Sequence, residues 1–128
     1  MSHEELDRLS YRIIGAAIEV HRHIGPGLLG RAYAECLAHE FRLQRITFAR
    51  ELSIPVVYKG AQLDCGYRLD FLIEDEFPLE LKTVEQVLPV HEAQVLTYLR
   101  LLKLPLGLLL NFNVPALVKG IHRVVNNF

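Results

Sequence analysis

The chain lacks most of the features that mark a specialised class. It has two cysteines in 128 residues, Cys36 and Cys65, with neither metal-like spacing nor a disulfide-rich context. A disulfide-framed fold is thereby excluded, and reduced thiols in a cytoplasmic protein are expected. Charge of neither sign is in excess: 14 basic side chains meet 15 acidic ones, for a net charge of −1. Composition therefore gives no support to a general nucleic-acid binder, which would be clearly basic. Any contact with DNA or RNA has to use a local basic patch, with metal offsetting nearby acids. No apolar run approaches the roughly 18 residues that cross a bilayer, so no membrane partner is expected. The opening Met1-Ser2-His3-Glu4-Glu5 is acidic and amphipathic, unlike a secretory signal. Repeats, low-complexity segments and linkers are missing too.

What is present is an ordinary globular balance, 51% apolar and 23% charged residues, and a length that suits one domain over residues 1–128. Ser2 with Glu5 fits a capping box. Leu6, Leu9, Ile13, Ala17, Val20 and Ile24 follow at helical spacing, and Gly25-Pro26-Gly27 ends that helix. A second helix carries Leu29, Tyr33, Cys36, Leu37, Glu40 and Phe41 and ends near Gln44-Arg45. From Ile46 the period changes to two. Strands are expected over Ile46–Arg50 and Leu52–Tyr58, with Pro55 marking an edge or bulge, and an antiparallel meander over residues 46–85. Pro89 opens a third helix through Leu102. Leu106–Phe112 is a short, continuously apolar strand buried on both faces, and Ile121–Val125 a last strand. The order α-α-β-β-β-α-β-β predicts an α/β (α+β) fold, a mixed sheet flanked by helices.

The densest chemistry lies at Gly66-Tyr67-Arg68-Leu69-Asp70-Phe71-Leu72-Ile73, then Glu74-Asp75-Glu76, then Pro78-Leu79-Glu80-Leu81-Lys82. Two alternating runs around three acids read as a β-hairpin. Alternation puts Glu80 and Lys82 on one face and Leu79, Leu81 and Thr83 on the other. A turn centred near Asp75 sets Asp70 roughly opposite Glu80, on the same side. Two carboxylates can hold Mg²⁺ through oxygen. A lysine two residues from the second acid can orient water or stabilise developing negative charge. Solvated strand charges would produce the same letters, because Glu-x-Lys alone is a common triplet.

Gln94 and Tyr98 stand at i and i+4 and share a helix face, with His91 three residues earlier. They could meet a phosphate or a base, or belong to an amphipathic helix whose tyrosine is partly core. The glycines at 25, 27 and 30 precede a helix but lack the lysine and Ser/Thr of a phosphate-binding loop. The scattered histidines, His21 and His23 among them, have no zinc-like spacing. Glu19 sits between Ile18 and Val20 and could project toward the acidic patch, or simply face water.

The chain also resembles a known family. The residues are Ile14-Gly15-Ala16-Ala17-Ile18-Glu19-Val20-His21, Gly25-Pro26-Gly27-Leu28-Leu29-x-x-x-Tyr33, Val57-Tyr58-Lys59-Gly60 and Tyr67-Arg68-x-Asp70. Glu80-Leu81-Lys82, His91-Glu92-Ala93-Gln94-x-x-x-Tyr98-Leu99 and Leu109-x-Asn111-Phe112 complete them. Together they are similar to the small bacterial GxxExxY proteins of the PD-(D/E)xK nuclease-like superfamily. The resemblance runs from about Leu9 to Val125. It implies a restriction-endonuclease-like core and hydrolysis of phosphodiester bonds in DNA, or in RNA, with Mg²⁺ or Mn²⁺ as cofactor. Asp70, Glu80 and Lys82 would be catalytic, with Asp70 and Glu80 on the metal. Gln94 and Tyr98 match a Gln-x-x-x-Tyr motif that places nucleic acid. Beyond the resemblance, Arg68 or Arg100 could meet phosphates. The pattern requires a glutamate where this chain has Gly30. By position, Glu19 is expected to take over that acid's part in the metal shell, ahead of Glu35. A nuclease-derived binding module is the alternative, and a homodimer is left open.

Overall fold

Ser2 opens the chain's first helix as its spacing predicts. Its Oγ accepts the Glu5 N–H at 3.1 Å, while the Ser2 N–H donates to Glu5 Oε1 at 3.3 Å. Helix α1 runs His3–Ile24 and ends where Gly25 takes a positive φ of 67°. Helix α2, Gly30–Leu43, starts without a side-chain cap and without an acid in its first turn. The computed structural model describes all residues from Met1 to Phe128.

The strands are β1 (Phe48–Ser53), β2 (Val56–Tyr58), β3 (Ala61–Leu63), β4 (Arg68–Ile73), β5 (Phe77–Lys82), β6 (Leu106–Asn111) and β7 (Ile121–Val125). Five of them form one sheet in the order β1-β4-β5-β6-β7. The pairs β1–β4, β4–β5 and β6–β7 are antiparallel, whereas β5–β6 is parallel. A parallel neighbour needs a crossover, and helix α3, Pro89–Leu102, supplies it. Along this sheet the order is α-α-β-β-β-α-β-β, an α+β arrangement with a mixed sheet. The remaining strands, β2 and β3, pair only with each other. They form a hairpin outside the meander, and Pro55 falls between β1 and β2, in neither strand.

Helices α1 and α2 cover one face of the sheet. Ile13, Ala17, Tyr33, Leu37 and Phe41 pack there with Phe71, Phe77, Leu79, Leu81, Leu108 and Leu110. Helix α3 covers the other, through Val95 and Leu99 against Leu109 and Val124, and through Tyr98 against Leu69 and Leu72. All six residues of β6 are buried, as a strand covered on both faces must be. No helix is long and apolar enough to cross a membrane.

Several residues of the resemblance brace this frame. Tyr33 stacks on Phe112 with ring centroids 4.5 Å apart, and its hydroxyl donates to the Gly25 carbonyl. Buried His21 points Nε2 at the carbonyls of Phe112 and Val114, at 3.2 and 2.9 Å. With both neighbours acceptors, that nitrogen is the one carrying the proton.

Candidate active site

The turn between β4 and β5 sets the register of the acids. Glu74 and Asp75 both take positive φ, 54° and 59°, which suits a tight hairpin. Thr47 supports it, donating from its hydroxyl to Glu74 at 2.7 Å. Phe71 then pairs with Leu79, Leu72 with Pro78 and Ile73 with Phe77. Continued by one step, that register sets Asp70 against Glu80.

There the backbone ladder gives way to side chains. The Asp70 N–H donates to Glu80 Oε1 at 3.0 Å, and the Leu81 N–H donates to Asp70 Oδ2 at 2.8 Å. Each carboxylate is thus aimed by the other strand's backbone, which leaves its second oxygen outside those bonds. The neighbouring strand is distorted at the same level. Glu51 lies opposite Asp70, between the pairs Arg50–Phe71 and Leu52–Leu69, and has a φ of 51°. A non-glycine residue in the left-handed region inside a strand bends it. Strict alternation also fails here: Phe71 and Ile73 face α1 and α2, yet Leu69 packs with Tyr98 under α3. The sheet opens around Asp70.

Glu80 is only 5% exposed. Burial pushes its carboxyl up to about 8, and the charge of Asp70 adds to the rise. Lys82, half-buried two residues on, acts in the opposite sense by favouring the ionised form. A buried and a half-buried carboxylate held together, with a half-buried lysine two residues along the strand, form a site short of positive charge. Their oxygens are hard donors of the kind Mg²⁺ and Mn²⁺ take, so the residues fit a divalent cation. No third Asp, Glu, His or Cys joins them in a ligand cluster.

A cleft of about 240 Å³ opens over Asp70 and Leu81, and α2 supplies Gly30, Arg31 and Glu35 to its wall. A Cβ built at Gly30 would meet only Thr83 Oγ1, at 3.9 Å. The place where the resemblance requires a glutamate is open space facing this cleft.

The structure divides the other expected site residues. Gln94 Nε2 donates to the Tyr98 hydroxyl at 3.1 Å, as a shared helix face predicts. Tyr98 is buried and donates in turn to the Arg68 carbonyl at 2.9 Å, so it seats β4. Burial and the Glu80 charge raise its phenol above the ordinary value. Arg68 is exposed at the start of β4, two residues before Asp70. Arg100 is not at this site: it lines a cleft with Lys103, Asn126 and Asn127 at the far end of α3. Glu19 is not there either. Its carboxylate lies 3.3 Å from both Arg22 and His23, and it lines a groove between α1 and α2 that shares only Glu35 with the Asp70 cleft. Position along the sequence placed Glu19 on the right helix pair but could not give the helix rotation. Glu35, expected to be the poorer substitute, is the helical acid that lines the Asp70 cleft.

Sequence reasoning missed the β1 side of the cleft, Arg50 and Glu51. Arg50 pairs with Glu35 at 2.9 Å and lies over the Phe71 ring, while its buried Nε has no partner. The only signal was the clustering of charges in Ala49-Arg50-Glu51, which an exposed edge strand would share.

A sequence model of the PD-(D/E)XK nuclease superfamily matches residues 7–124. No curated protein and no solved structure matches the chain.

Proposed function

The chain belongs to the PD-(D/E)XK nuclease superfamily, and on that premise we propose that it hydrolyses phosphodiester bonds of nucleic acid, DNA before RNA, with a divalent metal. The observation that supports this reading is the crossed pair of bonds by which each of Asp70 and Glu80 takes a backbone N–H of the other's strand. Nucleases of this superfamily use divalent ions, and Asp70 and Glu80 would hold Mg²⁺ or Mn²⁺, with the Leu81 carbonyl beside them. The ion, when bound, supplies charge to the scissile phosphate and a lowered water pKa. Lys82 orients the water or stabilises charge on the phosphate, from a strand position fixed by the parallel pairing of Lys82 with Asn111. Gln94 reaches toward substrate while Tyr98 holds the strand that carries Asp70. Arg68 meets a phosphate.

Oligonucleotides incubated with Mg²⁺ or Mn²⁺ test the reading. Cleavage is expected, lost in EDTA, and reduced at least ~100-fold by Lys82→Ala, with metal affinity of that variant retained in a calorimetric titration. If neither ion binds at millimolar concentration, or if Lys82→Ala cuts as the wild type does, this mechanism is wrong.

One observation favours a second reading, a nuclease-derived module that binds without cutting: the acid-free position at Gly30. Equal DNA binding in EDTA and in Mg²⁺, with no cleavage in either, would identify that module.

A further inference from the structure

A cavity of about 310 Å³ lies against the first half of α3, lined by Tyr67, Val90, His91, Ala93, Gln94 and Thr97. Its aromatic wall is fixed: Tyr67 meets Tyr98 at 88° with ring centroids 5.9 Å apart. Its polar edge is fixed as well. The Leu88 N–H donates to His91 Nδ1 at 2.9 Å, so the neutral ring carries its proton on Nε2 and offers a donor there. Gln94 commits Nε2 to Tyr98 and keeps Oε1 as an acceptor. A flat ring face, one donor and one acceptor together line a space at the lower end of the roughly 300–1,000 Å³ typical of small-ligand sites. It has room for one base.

Position sets what that base belongs to. Tyr67 meets the ring of Tyr98, whose hydroxyl donates to the Arg68 carbonyl, so the cavity adjoins the start of the strand that carries Asp70. We infer that this cavity is a nucleobase subsite, in which one unstacked base of a single-stranded nucleic acid lies on Tyr67 with its edge on His91 and Gln94, close to the scissile phosphate. The inference deepens the proposed nuclease function and rests on it. A base inside a duplex is stacked on both faces and cannot also stack on a tyrosine. Stacking also tolerates any base, because each has a π-face. The site therefore selects a single strand or a frayed end, with little dependence on sequence.

The test uses the whole chain with Ca²⁺ in place of Mg²⁺, and 12-nucleotide single strands of DNA and of RNA carrying 2-aminopurine. Quenching of the 2-aminopurine on binding is expected at one position of the strand. Tyr67→Leu should abolish the quenching and weaken binding about tenfold, while Tyr67→Phe keeps both. An abasic residue moved along the strand should weaken binding at that one position, a readout that needs no altered protein. The blunt duplex of the same sequence should bind at least tenfold more weakly, and comparison of the two single strands shows which sugar is preferred. A folded Tyr67→Leu that binds and quenches like the wild type, an abasic scan without a sensitive position, or equally tight duplex binding would overturn the subsite alone. Failure of every oligonucleotide to bind would overturn the nuclease reading and the subsite with it.

Discussion

At the scale of single residues, Glu80 makes the most direct claim. Its carboxyl sits at about 8 in the folded chain against an ordinary 4.5. Between those values the folded state holds a proton that the unfolded chain has released. The stabilisation is therefore full below about pH 4.5 and is lost as pH rises through about 8. The metal-free protein should lose stability, on the order of a few kcal/mol, across this window. Glu80→Gln keeps the oxygen that accepts the Asp70 N–H and cannot ionise. Thermal melts from pH 5 to 9 should show a flatter profile for Glu80→Gln and a higher Tm at the alkaline end. A wild-type Tm that rises over this range would mean the Asp70–Glu80 pair is not strained by its own charge. Gly30 makes the complementary claim. Glu has a helix propensity better than Gly by up to ~1 kcal/mol, and an acid in an empty first turn adds ~0.3–1 kcal/mol. The open space at Gly30 accommodates the side chain. Gly30→Glu should raise Tm by several degrees and tighten Mn²⁺ binding at least tenfold in a calorimetric titration. A higher Tm with unchanged affinity would show that the cleft wall at residue 30 does not face the ion.

At the scale of elements, the hairpin is held from behind as well as from its turn. Strand β6 ends at Asn111, whose Oδ1 accepts the Val84 N–H at 3.1 Å and whose Nδ2 donates to the Val84 carbonyl at 2.9 Å. The side chain prolongs the β5–β6 pairing two residues past Lys82. Asn111 is 3% exposed, and Asn111→Ala leaves the Val84 N–H without its partner and the Val84 carbonyl with only the longer bond from Asn113 Nδ2, 3.4 Å. It should cost about 2–4 kcal/mol in urea denaturation and slow any cleavage more than it weakens metal binding, because the segment it frees follows the lysine. Equal stability to wild type would show that water replaces the amide. The hairpin itself was legible in the sequence because period-two alternation and a three-residue acidic turn fix a register without help from the rest of the chain. Helix α3 was legible for a similar reason, since Pro89 and Lys103-Leu104-Pro105 bound it on both sides. What could not be read was set by tertiary contact. The Glu35–Arg50 pair joins α2 to β1, the left-handed Glu51 bends β1 without ending it, and α1 sets Glu19 in a groove against α2 instead of in the Asp70 cleft. Each depends on how elements pack, and local pattern carries none of that.

At the scale of the whole molecule, a net charge of −1 has to be reconciled with the polyanionic substrate of the proposed function. On that reading the fold concentrates function rather than charge. Asp70 and Glu80 would hold the cation that offsets their charge, and the basic side chains near them are few. Arg68 is exposed two residues before Asp70, and Arg31 and Arg50 belong to the cleft wall. Arg50 is already matched by Glu35. Nucleic-acid binding that depends on a few local cations releases few counterions, since each neutralised phosphate of a single strand contributes about −0.7 to the slope of log K against log salt. Fluorescence anisotropy of a single-stranded oligonucleotide from 50 to 200 mM KCl should therefore give a shallow slope, about −1 to −2 for two or three contacts. Removing divalent ions should weaken binding further, because ionised Asp70 then faces the phosphate uncompensated. A slope of about −5 or steeper would require an extended basic surface. That result would move recognition away from the hairpin and its metal and onto a face of the molecule where charge, rather than the paired carboxylates, does the binding.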